Sequence, residues 1–426
     1  MTVRSSTANS VSWPAVVTTP RAPLSATVAR LLFDHAVGRV PVRVRYPDGR
    51  VLGAGPRTAP EFELVRPAAF FARLGRDSKV GFGEAYMAGD WRPGPGTDLA
   101  DLLTPFAEQL STLVPPFMQR LRVLVDRRVP AIQKNTLEGS RTHIAAHYDL
   151  SNDLFAAFLD PTMSYSSAWF DDGEPIETAT GLAAAQLRKI DGILDLACVK
   201  ADSRVLEIGT GWGSLAIRAA QRGARVTTIT LSAEQMRLAR ERVAAAGLSW
   251  LVDVVLLDYR EVAGEYDAIV SVEMIEAVGE AYWPTYFAAI DRLLAPGGKV
   301  AIQAITMAHD RFVATRRSFG WIHKYIFPGG LIPSLTAIDD VTAARTTLRV
   351  SQQRELRPHY ARTLRLWRER FLDQWPQIHE QGFDEYFRRM WEFYLAYCEA
   401  GFRSGYLGVS QLQLCRGQRQ LDGGTA

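Results

Sequence analysis

The sequence predicts an α/β fold: a Rossmann-like parallel sheet with helices on both faces, preceded by a smaller N-terminal α+β domain. Five apolar runs between residues 204 and 306 alternate with helical stretches such as AEQMRLARERVAAAG. A glycine-rich turn follows the first run, whereas short apolar runs and turn signals alternate before residue 110. Because apolar strands that alternate with helices form parallel sheets buried on both faces, the larger domain is expected in the second half of the chain.

Each strand of the larger domain is predicted from one apolar run. The runs are RVLEIGTG (204–211), RVTTITLS (225–232), VDVVLLD (252–258), YDAIVSVEM (266–274) and GKVAIQAIT (298–306). Helical stretches separate most of them, which is the pattern of repeated strand–helix units. Long helices around 360–400 and an alternating run, GYLGVSQLQLCR, are expected to complete the chain.

The chain is too long for one ordinary core, so two domains are expected from its 426 residues. Changes of composition divide it into a flexible tail (1–20), a small α+β domain (21–110), a basic helical linker (111–145) and a larger domain (146–426) with an aromatic insertion (307–345). In the small domain, Asp48-Gly49 follows an alternating run and predicts a hairpin turn.

Composition excludes several classes of protein. The 49 basic and 46 acidic residues give a net charge of only +3, which argues against nucleic acid as a partner. Three cysteines lie far apart without metal or redox spacing, so no metal site is predicted and a reducing compartment is favoured. Neither a signal peptide nor an apolar stretch of membrane-spanning length is recognisable, so the protein is expected in the cytoplasm.

The glycine-rich turn indicates a nucleotide-containing cofactor. It reads Glu207-Ile208-Gly209-Thr210-Gly211-Trp212-Gly213, and its glycines allow a sharp turn and a close approach of backbone to ligand. Dinucleotide binding is the alternative, but the second strand ends in Thr230-Leu231-Ser232, without the carboxylate that a nicotinamide ribose requires. The acid before the first glycine, and Asp258-Tyr259 after the third strand, favour S-adenosylmethionine.

Two further segments carry a resemblance to a known family. HYDLSND (147–153) and LDPTMSYS (159–166) resemble the signature of cyclopropane-fatty-acyl-phospholipid synthases, within the mycolic acid cyclopropane synthase superfamily. GFGEAYMAGDW in the small domain extends the resemblance over nearly the whole chain. VEMIEAVG, AIQAITM and KYIFPGGLIPS are most similar to an actinobacterial branch that makes 10-methylene fatty acyl chains. The resemblance implies a class I methyltransferase domain over 146–426 and a lipid-binding-like domain over 21–110.

The resemblance also implies which residues hold S-adenosylmethionine. Its methionine end is expected against five residues: Tyr165, Ser166, Glu207, Gly209 and Gly211. The ribose side is expected against Thr230, Leu231 and Gln235, and adenine against Asp258 and Tyr259.

Members of the family hold a bicarbonate ion as the base that removes a proton from the reacting chain. The positions that match its ligands are Ser167, Glu276, Gln303, Ile305 and Tyr360. Two of them depart from the pattern, because Ser167 stands where the family has Cys and Gln303 where it has His. Two alternatives therefore stay open: Glu276 and Tyr360 hold a base, or they supply one.

The implied reaction is methyl transfer from S-adenosylmethionine to the cis double bond of an oleoyl-type phospholipid acyl chain. The expected product is a 10-methylene chain, a precursor of tuberculostearic acid, which a separate reductase saturates. Cyclopropane formation across the same bond and a catalytically inactive lipid-binding protein are the alternatives. A methyltransferase of a soluble small molecule would lack the segments quoted above. The implied partners are the inner face of the plasma membrane, bound peripherally, the unsaturated acyl substrate and a second subunit in a homodimer.

Overall fold

The computed structural model describes residues 13–109, 151–171, 173, 175 and 181–417. The basic helical linker predicted over 111–145 lies outside the described residues. In the first described segment the elements are α1 Pro14–Val17, α2 Pro23–Val37, β1 Arg43–Arg45, β2 Val51–Leu52, β3 Glu61–Leu64, α3 Pro67–Arg76, α4 Ser78–Ala88, β4 Trp91–Pro93 and α5 Leu99–Gln109.

The later segments contain the predicted alternation of strands and helices. Up to residue 306 the elements are α6 Asn152–Phe158, α7 Leu182–Leu196, β5 Arg204–Ile208, α8 Ser214–Gln221, β6 Arg225–Thr230, α9 Ala233–Ala245, β7 Val252–Leu256, β8 Tyr266–Val272, α10 Ile275–Val278, α11 Trp283–Leu293 and β9 Leu294–Thr306. The rest are α12 His309–Thr315, α13 Trp321–Tyr325, α14 Leu335–Arg345, β10 Leu348–Glu355, α15 Arg357–Asp373, α16 Trp375–Glu380, α17 Glu385–Arg403 and β11 Gly408–Arg416. Short 3-10 turns lie at Tyr259–Glu261 and Glu280–Tyr282.

The larger sheet confirms the predicted fold class. Its seven strands lie in the order β10-β11-β9-β8-β5-β6-β7. Five neighbouring strands, β9, β8, β5, β6 and β7, are parallel to one another. Strand β11 pairs antiparallel with β9, and β10 pairs antiparallel with β11. The strand order reverses beside β5, and the crevice at the carboxyl ends of strands beside such a reversal is where open α/β sheets bind ligands.

Alternating side chains of this sheet form two separate cores. Leu206 and Ile208 of β5 belong to a cluster that includes Tyr286 and Phe287 of α11. Val205, which points the other way, belongs to a second cluster with helices α7, α8 and α9. Both faces are therefore covered, which leaves the ends of the strands as the exposed part of the parallel sheet.

The chain forms two compact units. Of the described residues, unit 1 contains 13–109, 317–328 and 361–406, and unit 2 contains the others. The segment 361–406 joins unit 1 because Arg368, which is buried, pairs with Asp98 and with the buried Glu399. The units therefore interleave along the chain, and the consecutive domain boundaries given above stay a prediction about functional domains.

Unit 1 has its own four-stranded sheet, of order β2-β1-β3-β4. The hairpin predicted at Asp48-Gly49 joins β1 to β2, with Gly49 at φ 84°. The predicted flexible tail differs from the structure at its end, because residues 14–17 form α1 and Val16 is buried. Arg73 holds this turn by donating hydrogen bonds to the carbonyl oxygens of Ala15 and Val16.

None of the helices in the described segments combines the length and the apolar character that crossing a bilayer requires.

The core of unit 1 gives a test of its packing. Trp91 is fully buried, stacks on Phe62 with ring centroids 4.4 Å apart, and donates from Nε1 to the carbonyl of Phe82. We expect Trp91→Ala to lower the free energy of unfolding by about 3–5 kcal/mol, because it opens a cavity and strands a carbonyl. Trp250→Ala is the matched control, since Trp250 is 73% exposed and its loss should change stability by less than about 0.5 kcal/mol. Urea unfolding measures both, and equal losses would contradict the assignment of Trp91 to the core.

Candidate active site

The glycine turn lies at the carboxyl end of β5. Gly209, Gly211 and Gly213 have φ of 100°, 51° and 87°, a region that glycine enters without steric cost. A Cβ at Gly209 would lie 2.6 Å from Cγ of Met274, whereas one at Gly211 would enter open space. The turn therefore presents bare backbone to the crevice, as a cofactor-binding turn requires.

Glu207 lies under this turn and is buried. Its Oε2 accepts a hydrogen bond of 2.6 Å from the hydroxyl of Thr228. Burial raises the pKa of Glu207 to about 8, although the Thr228 bond and Lys189 both oppose the shift. A cationic ligand beside Glu207 would favour its ionised form.

The residues predicted for the rest of the cofactor follow β6 and β7. Thr230 donates to Oε1 of Gln235 over 2.9 Å, so the two predicted ribose contacts are joined to each other, with Leu231 between them in sequence. Asp258 accepts from Nε and Nη2 of Arg260 at 2.7 and 2.6 Å. Because Arg260 occupies both carboxylate oxygens, the adenine contact of Asp258 stays a prediction, as does that of the buried Tyr259.

Lys189 of α7 is a buried cation that the sequence analysis missed. Its Nζ donates to Oγ of Ser166 over 2.7 Å, beside Tyr165, whose ring meets that of Phe155 edge-on at 5.2 Å. Burial lowers the pKa of Lys189 to about 8, and Glu273 is the strongest of the carboxylates that oppose the shift. The signal for it is a lysine inside a segment whose apolar residues recur at helical spacing, LAAAQLRKIDGILDL.

A second carboxylate near the cofactor turn belongs to Glu273, which directly follows β8. The backbone N–H of Ser167 donates to its Oε1 over 2.9 Å, and Nε2 of Gln303 donates to the same oxygen over 2.8 Å. The hydroxyl of Tyr360 donates to its Oε2 over 2.7 Å. Three of the five residues predicted to hold bicarbonate therefore converge on one side chain of the protein.

The amide of Gln303 is oriented by its neighbour on β11. Nε2 of Gln411 donates to Oε1 of Gln303 over 3.1 Å and to the carbonyl of Lys189 over 3.2 Å. With its oxygen already an acceptor, Gln303 turns its N–H group towards Glu273. Gln411 is a second residue that the sequence analysis missed.

Glu276 is the remaining carboxylate, three residues beyond Glu273 and in the first turn of α10. Its Oε1 accepts from the backbone N–H of Ile305, and within the described segments its Oε2 has no hydrogen-bond partner. Burial and, to a smaller extent, the charge of Glu273 raise the pKa of Glu276 to about 8. At neutral pH Glu276 is therefore mostly protonated.

These features define the class of the protein. A seven-stranded sheet of this order, with a glycine turn and a buried acid at the end of β5, is the fold of class I S-adenosylmethionine-dependent methyltransferases, and solved structures share it. The family model of mycolic acid cyclopropane synthetase matches residues 135–412, which is more than half of the chain. The chain therefore belongs to the mycolic acid cyclopropane synthetase family.

Two sequence relatives and one solved structure show which members of the family the chain is similar to. Tuberculostearic acid methyltransferase UfaA1 of Mycobacterium tuberculosis is 54% identical over 409 residues, covering 95% of each chain. Cyclopropane-fatty-acyl-phospholipid synthase of Escherichia coli is 33% identical over 84% of this chain and 89% of its own. The crystal structure of mycolic acid cyclopropane synthase CmaA1 with SAH and CTAB superposes with a TM-score of 0.58 at 30% identity, over 64% of this chain and 97% of that one.

The two small molecules that the family implies fit this chain differently. The open turn at Gly211 and the buried acid Glu207 suit S-adenosylmethionine. Bicarbonate does not fit, because Ser167, Gln303 and Tyr360 already donate to Glu273, and Ile305 already donates to Glu276. An added anion would have to displace a carboxylate of the protein and would meet its negative charge.

The glycine turn gives a test of cofactor binding. Gly209→Ala places a Cβ against Met274 and holds alanine at φ 100°, so we expect the Kd for S-adenosylmethionine to rise at least tenfold. Gly247→Ala is the matched control, because Gly247 also has a positive φ (70°) but a Cβ there meets nothing within 4 Å. It should lose similar backbone stability, about 1–2 kcal/mol, without losing affinity. Calorimetric titration measures both, and unchanged binding by Gly209→Ala would contradict the assignment of this turn to the cofactor.

The raised pKa of Glu276 gives a test of its burial. Between its usual pKa of 4.5 and about 8 the unfolded chain binds fewer protons than the folded one, so the free energy of unfolding falls as the pH rises through this window. Glu276→Gln removes this dependence, and the variant should be more stable than the wild type by about 2–4 kcal/mol at pH 8, with the difference shrinking towards pH 5. Urea unfolding at both pH values measures it, with the exposed Glu241→Gln as control. A difference that is independent of pH would mean that Glu276 ionises normally.

Proposed function

We propose that this protein transfers a methyl group from S-adenosylmethionine to the cis double bond of an oleoyl-type phospholipid acyl chain and releases a 10-methylene acyl chain. The observation that carries the proposal is the 54% identity, over 95% of both chains, to a tuberculostearic acid methyltransferase. The buried Glu207, together with the partly buried Glu273 and Glu276, supports a site near the glycine turn that handles cationic chemistry.

S-adenosylmethionine supplies a methyl group on a positively charged sulfur, which a double bond attacks. In the proposal, Gly209, Gly211 and Glu207 hold its methionine end together with Tyr165 and Ser166. Thr230, Leu231 and Gln235 lie along the ribose, and Asp258 and Tyr259 bind adenine. For Asp258 this requires Arg260 to release one carboxylate oxygen.

In the proposal the substrate is a long-chain lipid, and the protein binds the membrane surface that contains it. A solved relative holds CTAB, a surfactant with a long alkyl chain, which supports an acyl-chain substrate. Helix α2 exposes Leu24, Val28 and Leu31, which lie on one face at helical spacing near the exposed Arg21 and Arg30. An apolar stripe with flanking arginines suits the headgroup layer of the cytoplasmic face of the plasma membrane. A separate reductase for the product and a homodimeric assembly belong to the same proposal.

The proposed activity is tested by incubating the purified protein with S-adenosylmethionine and dioleoyl phospholipid vesicles, followed by proton NMR of the fatty acids. We expect vinylidene proton signals from a 10-methylene chain. Mass alone does not distinguish this product from its cyclopropane isomer. Upfield ring protons would instead assign cyclopropane synthesis, which the 33% identity to the Escherichia coli enzyme supports as the second candidate. Cofactor binding without any product would contradict both and favour a lipid-binding protein.

A further inference from the structure

The side chain of Glu273 accepts hydrogen bonds from residues that were predicted to bind bicarbonate. Five residues were predicted to hold bicarbonate: Ser167, Glu276, Gln303, Ile305 and Tyr360. All of them except Glu276 offer a hydrogen-bond donor in the structure. In the structure three of them donate to Glu273, and the N–H of Ile305 donates to Glu276. The donors that would recognise a small carboxylate-like ion thus recognise carboxylates of the chain itself.

We propose that the carboxylate of Glu273 is the base that removes the proton in the methylene-forming reaction, in place of a bicarbonate ion. This inference rests on the function proposed above, and it assigns the proton acceptor of that same site. It makes the protein independent of dissolved carbon dioxide.

The reaction requires one base. The electron pair of the double bond forms a bond to the methyl carbon while the sulfur–carbon bond breaks and sulfur keeps that pair. The neighbouring carbon is left as a cation, which a hydride shift moves to the carbon that carries the new methyl group. A methyl C–H bond then supplies its electron pair to form the exocyclic double bond, and the proton passes to an oxygen of Glu273. Release of this proton to solvent restores the carboxylate.

The hydrogen bonds distinguish Glu273 from Glu276 as the proton acceptor. Desolvation raises the pKa of both carboxyl groups, but Glu273 accepts three hydrogen bonds that oppose the shift. Glu276 accepts one from Ile305, and its pKa is raised to about 8. Within the described part of the chain Oε2 of Glu273 accepts one hydrogen bond, from Tyr360, which leaves a lone pair for a proton. Lys189 adds a compensating positive charge nearby.

The backbone at Glu273 supports a dedicated role. Its φ is 52°, in the left-handed region that residues other than glycine enter at a cost of about 1–2 kcal/mol. The adjoining Met274 lies against Gly209 of the cofactor turn, which places this strained residue at the site. Strain of this kind persists where the side chain that it positions is needed.

The first arm of the test uses the wild-type protein alone. Product formation from dioleoyl phospholipid vesicles is measured in buffer freed of carbon dioxide and again with added bicarbonate. We expect the two rates to agree within twofold. A fall of tenfold or more without bicarbonate, restored when it is added, would overturn the inference and leave the proposed function intact, because the protein would still form product.

The second arm replaces the carboxylate. Glu273→Gln should lower kcat by about 10²–10⁴-fold, the usual contribution of a general base, while the Kd for S-adenosylmethionine changes less than threefold. Glu241→Gln, an exposed change of the same kind, should leave both unchanged. Retention of a third or more of the activity by Glu273→Gln would overturn the inference.

The third arm separates a base from a structural role. Glu273→Gly relieves the backbone and opens space for a small anion, so added formate or bicarbonate should restore activity at least tenfold over the variant alone. A variant that binds S-adenosylmethionine normally but responds to neither anion would overturn the inference, because loss without rescue is what a structural role predicts.

Discussion

The hydrogen bonding of the Glu273 carboxylate, which is partly buried, is the constraint on which the site depends. A buried carboxylate without hydrogen bonds costs several kcal/mol, so its donors must be supplied together. They come from three places in unit 2: the loop at Ser167, strand β9 through Gln303, and the first turn of α15 through Tyr360. These segments are held in one arrangement because displacing any of them removes one of the hydrogen bonds that stabilise the carboxylate.

The parallel sheet explains why the ionisable groups meet. Strands β5 and β8 lie side by side and end at the same edge, with Glu207 opposite Val270, so that Glu273 follows three residues beyond the level of Glu207. Helix α7 covers one face of the sheet and adds Lys189 to the same pocket. Glu207, Glu273, Glu276 and the buried Lys189 all have shifted pKa values, to which the charges of their neighbours contribute. Ionisable groups of this kind are characteristic of functional sites.

Sequence patterns predicted the sheet and the cofactor turn because both are local signals. Strand–helix alternation and the glycines after β5 can be recognised without knowing any long-range contact, and the Asp48-Gly49 hairpin is of the same kind. The membership of 361–406 in unit 1 was not predictable, since it depends on ion pairs such as that between Arg368 and Asp98, 270 residues apart.

The sequence named the residues that donate hydrogen bonds at the candidate site, but it did not identify Glu273, which accepts them. Ser167, Gln303 and Tyr360 were predicted to hold one ion, and in the structure all three donate to Glu273 instead. Glu273 stands at the end of a strand, where a carboxylate commonly begins the next helix, so nothing local marked it. Its side chain is located by hydrogen bonds from Ser167, Gln303 and Tyr360, which are distant in sequence, and such long-range contacts leave no local signal.

That left-handed backbone has an evolutionary consequence. Glycine adopts the same conformation freely, so position 273 accommodates either residue without rebuilding the turn. Codons for glutamate and glycine differ by a single nucleotide in the second position. One transition therefore separates a protein that carries its own anion from one that leaves a cavity for an anion drawn from solution.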